Sequence, residues 1–345
     1  MKKLLLLAFV FAFSGVVLAQ SGDPNPKAKK AYNDGVANYA KRNYKQAIIE
    51  FDKAINMEPK FIQAYFNRGL SKYELKNYKG CIEDLTSCIV LGENTEKIYF
   101  LRAKAKIALE DYEGALLDCD KAVEINPANF ENYYYRGGIR FQTKDYTAAI
   151  ADLDKCIGMK PDFAEAYNDR GSAKRETEDY DGAVADYRKA VELKPDFAQA
   201  YNNMGSALKD KGDLDGAIAA YLKATELKPD YVLAFNNLGT AYFEKGDYEV
   251  AIEKFGIALR LKPDYYFAYN NRGAAKMKTK DYNGAVADFS SALQYNGEYA
   301  VAILNRGIAK EMNNDFAGAC QDWHLALSKG LTSAQGFIDN QCDKK

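Results

Sequence analysis

The sequence has a single histidine, His324, and a single tryptophan, Trp323. Histidine titrates near neutral pH and is the commonest metal ligand, so most proton-transfer and zinc-centred chemistry is short of parts from the outset. The chain also lacks a charge of one sign. Its 47 lysines and arginines face 48 acids, so no net field draws it to nucleic acid or to an anionic membrane. Beyond the first twenty residues there is no second long apolar run, and so no further candidate for a membrane span.

That first stretch, "MKKLLLLAFVFAFSGVVLAQ", opens with Lys2 and Lys3, runs apolar from Leu4 to Leu18, and ends Val-x-Ala at Ala19. It reads as a secretory signal peptide over residues 1–19, cleaved after Ala19 and followed by a short polar linker over 20–27. A retained membrane anchor is the competing reading, against which stand the small-residue cleavage site and the polar "QSGDPNPK" that follows. No cysteine follows the cleavage site, so a bacterial-type lipid anchor is not supported. The expectation is an exported chain, periplasmic or secreted.

The rest is periodic. Gly35, Gly69, Gly137, Gly171, Gly205, Gly239, Gly273 and Gly307 lie 34 residues apart, with Ala103 at the midpoint of the one double gap. Six of eight prolines share one place in this frame: Pro59, Pro127, Pro161, Pro195, Pro229 and Pro263. There a helix must stop. Two small-residue columns, for example Ala47, Cys81 and Ala115 and then Ala54, Cys88 and Ala122, complete the frame. Nine units tile the chain: 28–61, 62–95, 96–129, 130–163, 164–197, 198–231, 232–265, 266–299 and 300–333. Each reads as two short amphipathic helices broken at a "KGDY"-like turn.

The pattern Tyr201, Gly205, Ala217, Tyr221, Ala224, Pro229 resembles the tetratricopeptide repeat, with Leu214 where a tyrosine is usual. The resemblance spans nearly the whole chain after Ala19. Its departures are Ala103 and the missing prolines at Glu93, Gly297 and Leu331. It implies an all-α fold, a right-handed α-solenoid of nine helix-turn-helix repeats, closed by a C-terminal capping helix over 334–345.

An arginine precedes the glycine in six units: Arg68, Arg102, Arg136, Arg170, Arg272 and Arg306. Sixteen residues later stand Asp84, Asp118, Asp152, Asp186, Asp288 and Asp322. Units with Met204 and Leu238 instead carry Ala220 and Lys254. Because the two positions sit level on antiparallel helices, the expectation is a partly buried ion pair inside each unit. Such pairs hold the fold rather than bind a ligand.

In tetratricopeptide arrays the first helix of each unit lines a concave groove, and the resemblance places two sets of residues there. The aromatic set is Phe66, Tyr73, Phe100, Tyr134, Tyr135 and Phe141, with Leu101 and Ile107. The amide set is Asn168, Asn202, Asn203, Asn236, Asn237, Asn270, Asn271 and Asn305. An amide offers both a donor and an acceptor, so a ladder of them would grip the backbone of an extended peptide. "AFNNLG" (234–239) is similar to repeats of the tetratricopeptide part of O-linked N-acetylglucosamine transferase, which uses such a ladder. The aromatic set would supply apolar pockets or, alternatively, stack sugar rings. Helix capping and packing between units are the bland readings of both.

Of six cysteines, Cys81 and Cys88 are about 10 Å apart along one helix, too far to bridge. With Cys119 and Cys156 they fall in core columns and read as buried thiols. Cys320 and Cys342 lie level across a turn near Leu331, which predicts a disulfide. Ala334, Phe337, Ile338 and Cys342 share one face of the expected cap. Trp323 falls in the aromatic core column, and His324 on the surface. The expected function is a non-catalytic scaffold that binds a partner protein or extended peptide, with a glycan-binding subunit as the alternative. No cofactor, metal or nucleic acid is implied.

Overall fold

The computed structural model describes residues 25–342; the expected signal peptide and most of the linker lie outside them. The described chain divides into two compact units, residues 25–177 and 178–342. The first holds α1 (Pro26–Ala40), α2 (Tyr44–Met57), α3 (Ile62–Glu74), α4 (Tyr78–Val90), α5 (Glu96–Ala108), α6 (Tyr112–Ile125), α7 (Phe130–Gln142), α8 (Tyr146–Met159) and α9 (Ala164–Glu176). The second holds α10 (Tyr180–Leu193), α11 (Ala198–Lys211), α12 (Leu214–Leu227), α13 (Val232–Lys245), α14 (Tyr248–Leu261), α15 (Tyr266–Lys278), α16 (Tyr282–Tyr295), α17 (Ala300–Met312) and α18 (Phe316–Ser328). No strand occurs among the described residues. Within each unit, α1/α2 to α7/α8 and α11/α12 to α17/α18 form hairpins, and each hairpin packs on the next. The architecture is that of an α-solenoid.

The second helix of most hairpins starts at a short polar side chain. Asp111, Asp213, Asp281 and Asp315 each accept the backbone N–H three residues on, at 2.9–3.0 Å, so satisfying an orphan donor of the first turn. The turn before each cap passes through left-handed backbone. Gly212 and Gly246 take that place in two repeats, but Arg42, Lys76, Glu110, Lys144, Lys280 and Asn314 hold it at φ 59–65° without a glycine's freedom.

The recurring glycine sets the distance between paired helices. A Cβ added to Gly205, Gly239 or Gly273 would lie 2.7–2.8 Å from the ring of Tyr221, Phe255 or Phe289, sixteen residues ahead. At Gly69 and Gly137, where leucines 85 and 153 face the glycine, the nearest atom is 3.1–3.2 Å away. The departure at Ala103 follows the same rule, because the facing residue is the smaller Cys119 and both are buried in one cluster. In these hairpins the small residue and the size of the side chain facing it are matched.

The last segment is wound in three geometries rather than as one regular helix: a 3₁₀ turn at Thr332–Ala334, an α turn at Gln335–Phe337 and a wide turn at Ile338–Cys342. It nevertheless covers the end of the stack. Ala334 and Ile338 are buried against Trp323, and Phe337 stacks on the Trp323 ring at 5.2 Å. The structure pairs Cys320 with Cys342, with Cα atoms 5.7 Å apart. Cys81, Cys88, Cys119 and Cys156 are buried, and burial pushes each thiol up to about 12, far from reactive at neutral pH. His324 is exposed.

Candidate binding surface

The arginine column is built as a clamp. Arg102 donates from Nε and Nη2 to the two oxygens of Asp118 at 2.9 and 2.6 Å, and Arg68–Asp84, Arg136–Asp152, Arg272–Asp288 and Arg306–Asp322 repeat this bidentate geometry. The aspartates are 2–5% exposed, so the pair works in a weakly screened environment. Arg170 belongs to the first unit, where Nη1 donates to Asp154 at 2.6 Å. Asp186, in the second unit, is buried.

Two features of the clamp escaped the sequence reading. A second cation four residues beyond the arginine reaches the same carboxylate: Lys72, Lys106, Arg140, Lys276 and Lys310 at 2.8–2.9 Å. The pair is therefore a triad. Arg68 and Arg136 also reach back to Asp52 and Asp120 of the preceding repeat, at 2.6 and 2.8 Å. Pairing is thus not confined to one hairpin. The second base was legible as a column, since repeats lacking the arginine carry Leu208 and Tyr242 where it would stand.

The amides divide into two kinds. Asn168, Asn202, Asn236 and Asn270 are buried, which corrects the expectation that both columns face a ligand. Adjacent residues on a helix point about 100° apart, so only the second column can look outward. Asn203, Asn237, Asn271 and Asn305 are half-buried. The two columns bond each other across repeats: Asn237 to Asn202 at 3.0 Å, Asn271 to Asn236 at 3.1 Å and Asn305 to Asn270 at 3.0 Å, each donating from Nδ2. These bonds fix the orientation of the outward amides. The carbonyl oxygens of Asn237 and Asn305 keep no partner among the described residues. One turn earlier on the same helix faces stand Leu233, Phe267 and Val301, exposed at 49%, 42% and 41%. That apolar row beside the amides also went unread in the sequence.

In the first unit the aromatic set is only partly a surface. Phe66 is a correction: with Leu101 it is buried among Cys81, Leu85, Cys88 and Ile98. Tyr73, Phe100, Tyr134, Tyr135 and Phe141 are half-buried and meet other rings largely edge to face, Phe100 on Tyr135 at 4.8 Å and Tyr73 on Tyr78 at 5.4 Å. Lys104 sits over Tyr73, Phe100 and Tyr135 at 5.6–5.7 Å, and burial lowers its pKa despite Glu131 and Glu74 nearby. Tyr134 donates to Asp169 at 2.9 Å, and Asn168 donates to the same carboxylate. Burial pushes Asp169 up to about 6 against both bonds. No cluster of side chains suited to a metal occurs among the described residues.

A family model for the TPR repeat matches residues 171–212, 205–246 and 239–280, and a tetratricopeptide repeat model matches 100–167. The C-terminal part of a TPR repeat-containing protein from Cytophaga hutchinsonii superposes with a TM-score of 0.58 at 19% identity, covering 70% of this chain and 98% of that one; the likeness is one of fold. YrrB, described as a TPR protein with an unusual peptide-binding site, is 26% identical over 54% of this chain and 96% of its own, with a TM-score of 0.45. MamA is 28% identical over 47% of this chain and 94% of its own, with a TM-score of 0.44. Among curated proteins none matches the chain.

Proposed function

From a chain built of tetratricopeptide repeats, we propose a non-catalytic scaffold that holds an extended segment of a partner protein along its first helices. The observation that carries this reading is the double row on α13, α15 and α17. Outward amides Asn237, Asn271 and Asn305 are held in register by their bonds to buried amides, beside exposed Leu233, Phe267 and Val301. Amides that recur once per repeat suit backbone recognition, and an apolar row beside them suits side-chain burial. Preorganised amides lose little entropy on binding.

The sugar-stacking alternative draws less support. Phe100 and Tyr135 pack against one another and under Lys104, so ring faces that would stack a sugar are in use. Export, with cleavage after Ala19, remains part of the proposal, and an oxidised Cys320–Cys342 bond suits an oxidising compartment.

The test is a pull-down of labelled peptides tiling candidate partners on the mature protein, compared with Asn237→Ala/Asn271→Ala. The expected result is a peptide retained by the native chain and weakened at least tenfold by the double substitution, about 1.4 kcal/mol or more. Retention at unchanged affinity would show that the amide row does not bind it.

A further inference from the structure

In five of the six column arginines Nη1 finds an acceptor sixteen positions earlier in the chain. For Arg68, Arg136 and Arg170 it is a carboxylate, from Asp52, Asp120 and Asp154, at 2.6–2.8 Å. For Arg102 and Arg306 it is a hydroxyl, from Thr86 at 3.1 Å and Ser290 at 3.4 Å. Arg272 differs, because its sixteenth predecessor is Gly256. Its Nε and Nη2 hold Asp288 at 2.9 and 2.7 Å, while Nη1 has no hydrogen bond among the described residues.

The space left by Gly256 is open and electropositive. A Cβ built there meets Arg272 Nη1 at 3.8 Å and Arg260 Nη1 at 4.0 Å, and nothing nearer. Arg260, one turn further along α14, is exposed and makes no hydrogen bond or ion pair among the described residues. Neighbouring acids are engaged elsewhere: Asp288 by Arg272 and Lys276, and Glu253 by Lys254. Two guanidinium nitrogens therefore converge on a vacant position that three other repeats fill with a carboxylate.

We propose that this gap over Gly256 receives an aspartate or glutamate side chain of a partner protein, which takes the place Asp52, Asp120 and Asp154 hold in their own repeats. Guanidinium matches carboxylate geometry through paired N–H donors. The carboxylate rather than a phosphoryl group is favoured because the chain itself uses that acceptor at the equivalent point. The site is built from α14 and α15 side chains outside the amide row and does not depend on it.

The chain supplies its own competitor: Gly256→Asp places the internal carboxylate, and Gly256→Ala adds the same Cβ without the charge. Arginine side-chain N–H resonances of the mature protein are followed by NMR during titration with triglutamate, and in parallel with inorganic phosphate. Saturable shifts of Arg272 and Arg260 with triglutamate are expected, retained in Gly256→Ala, lost in Gly256→Asp, and weakened about fivefold in Arg260→Gln. Absence of a saturable shift, or an undiminished one in folded Gly256→Asp or in Arg260→Gln, would overturn the proposal. Saturation by phosphate but not by triglutamate would also overturn it, since the occupant would then be a phosphoryl group.

Discussion

At the scale of single residues, the clamp aspartate is sensitive to substitution because it is a buried charge held by two cations. Asp118 is 2% exposed and is shared by Arg102 and Lys106. Replacing it with alanine strands two cations, and urea unfolding should show a loss of about 3–5 kcal/mol. Lys106→Met leaves the bidentate Arg102–Asp118 pair intact and should cost clearly less. Asp169 makes a pH prediction. Burial pushes its carboxyl up to about 6 in the folded chain against an ordinary value near 4, so the native state holds the extra proton between them. Stability should fall by about 3 kcal/mol as pH rises from about 4 through 6, and Asp169→Asn should flatten that slope while keeping a hydrogen bond from Tyr134. An unchanged slope in the variant would remove Asp169 as its source. The arginine–aspartate pairing was legible because nine internal copies let the columns be compared. Burial of Asn202, Asn236 and Asn270 was not, because a 34-residue column fixes a residue's height but not its direction around the helix.

At the scale of the helix pair, glycine against ring is the governing contact. Gly239→Ala would press a methyl to 2.7 Å from the Phe255 ring, and thermal unfolding should show a loss of about 1–3 kcal/mol. Gly239→Ala combined with Phe255→Cys, which imitates Ala103 with Cys119, should show non-additive recovery in a double-mutant cycle. Strict additivity would contradict the matching. The turns give a prediction of the opposite sign. Lys144 holds φ 65°, so Lys144→Gly should stabilise by up to about 1 kcal/mol where the strain exceeds glycine's entropy cost. Helix pairs were legible from glycine, alanine and proline spacing alone. The end segment was less so, since one shared face in a helical projection does not fix whether the turn is 3₁₀, α or wide.

At the scale of the whole molecule, repeats contact their neighbours, so an open end face is a liability that a cap must cover. Ile338 is 2% exposed against Trp323 and Ala334. Ile338→Ala should cost about 2–4 kcal/mol locally, seen as faster amide exchange in α17 and α18 with little change in the first unit. The fold class was carried by period and pattern, and the site only in part: the resemblance to tetratricopeptide arrays marked the first-helix residues, but their bonds across repeats appear only when helices are stacked. The proposed function rests on the outward face of α13, α15 and α17. The most direct measurement places a photo-crosslinking amino acid at Phe267, beside the amides, and separately at Leu222 on α12, which is equally exposed, in the producing cells. Capture of a polypeptide from position 267, lost when Asn237 and Asn271 are alanine, is the predicted result. Capture from position 222 with none from 267 would contradict it.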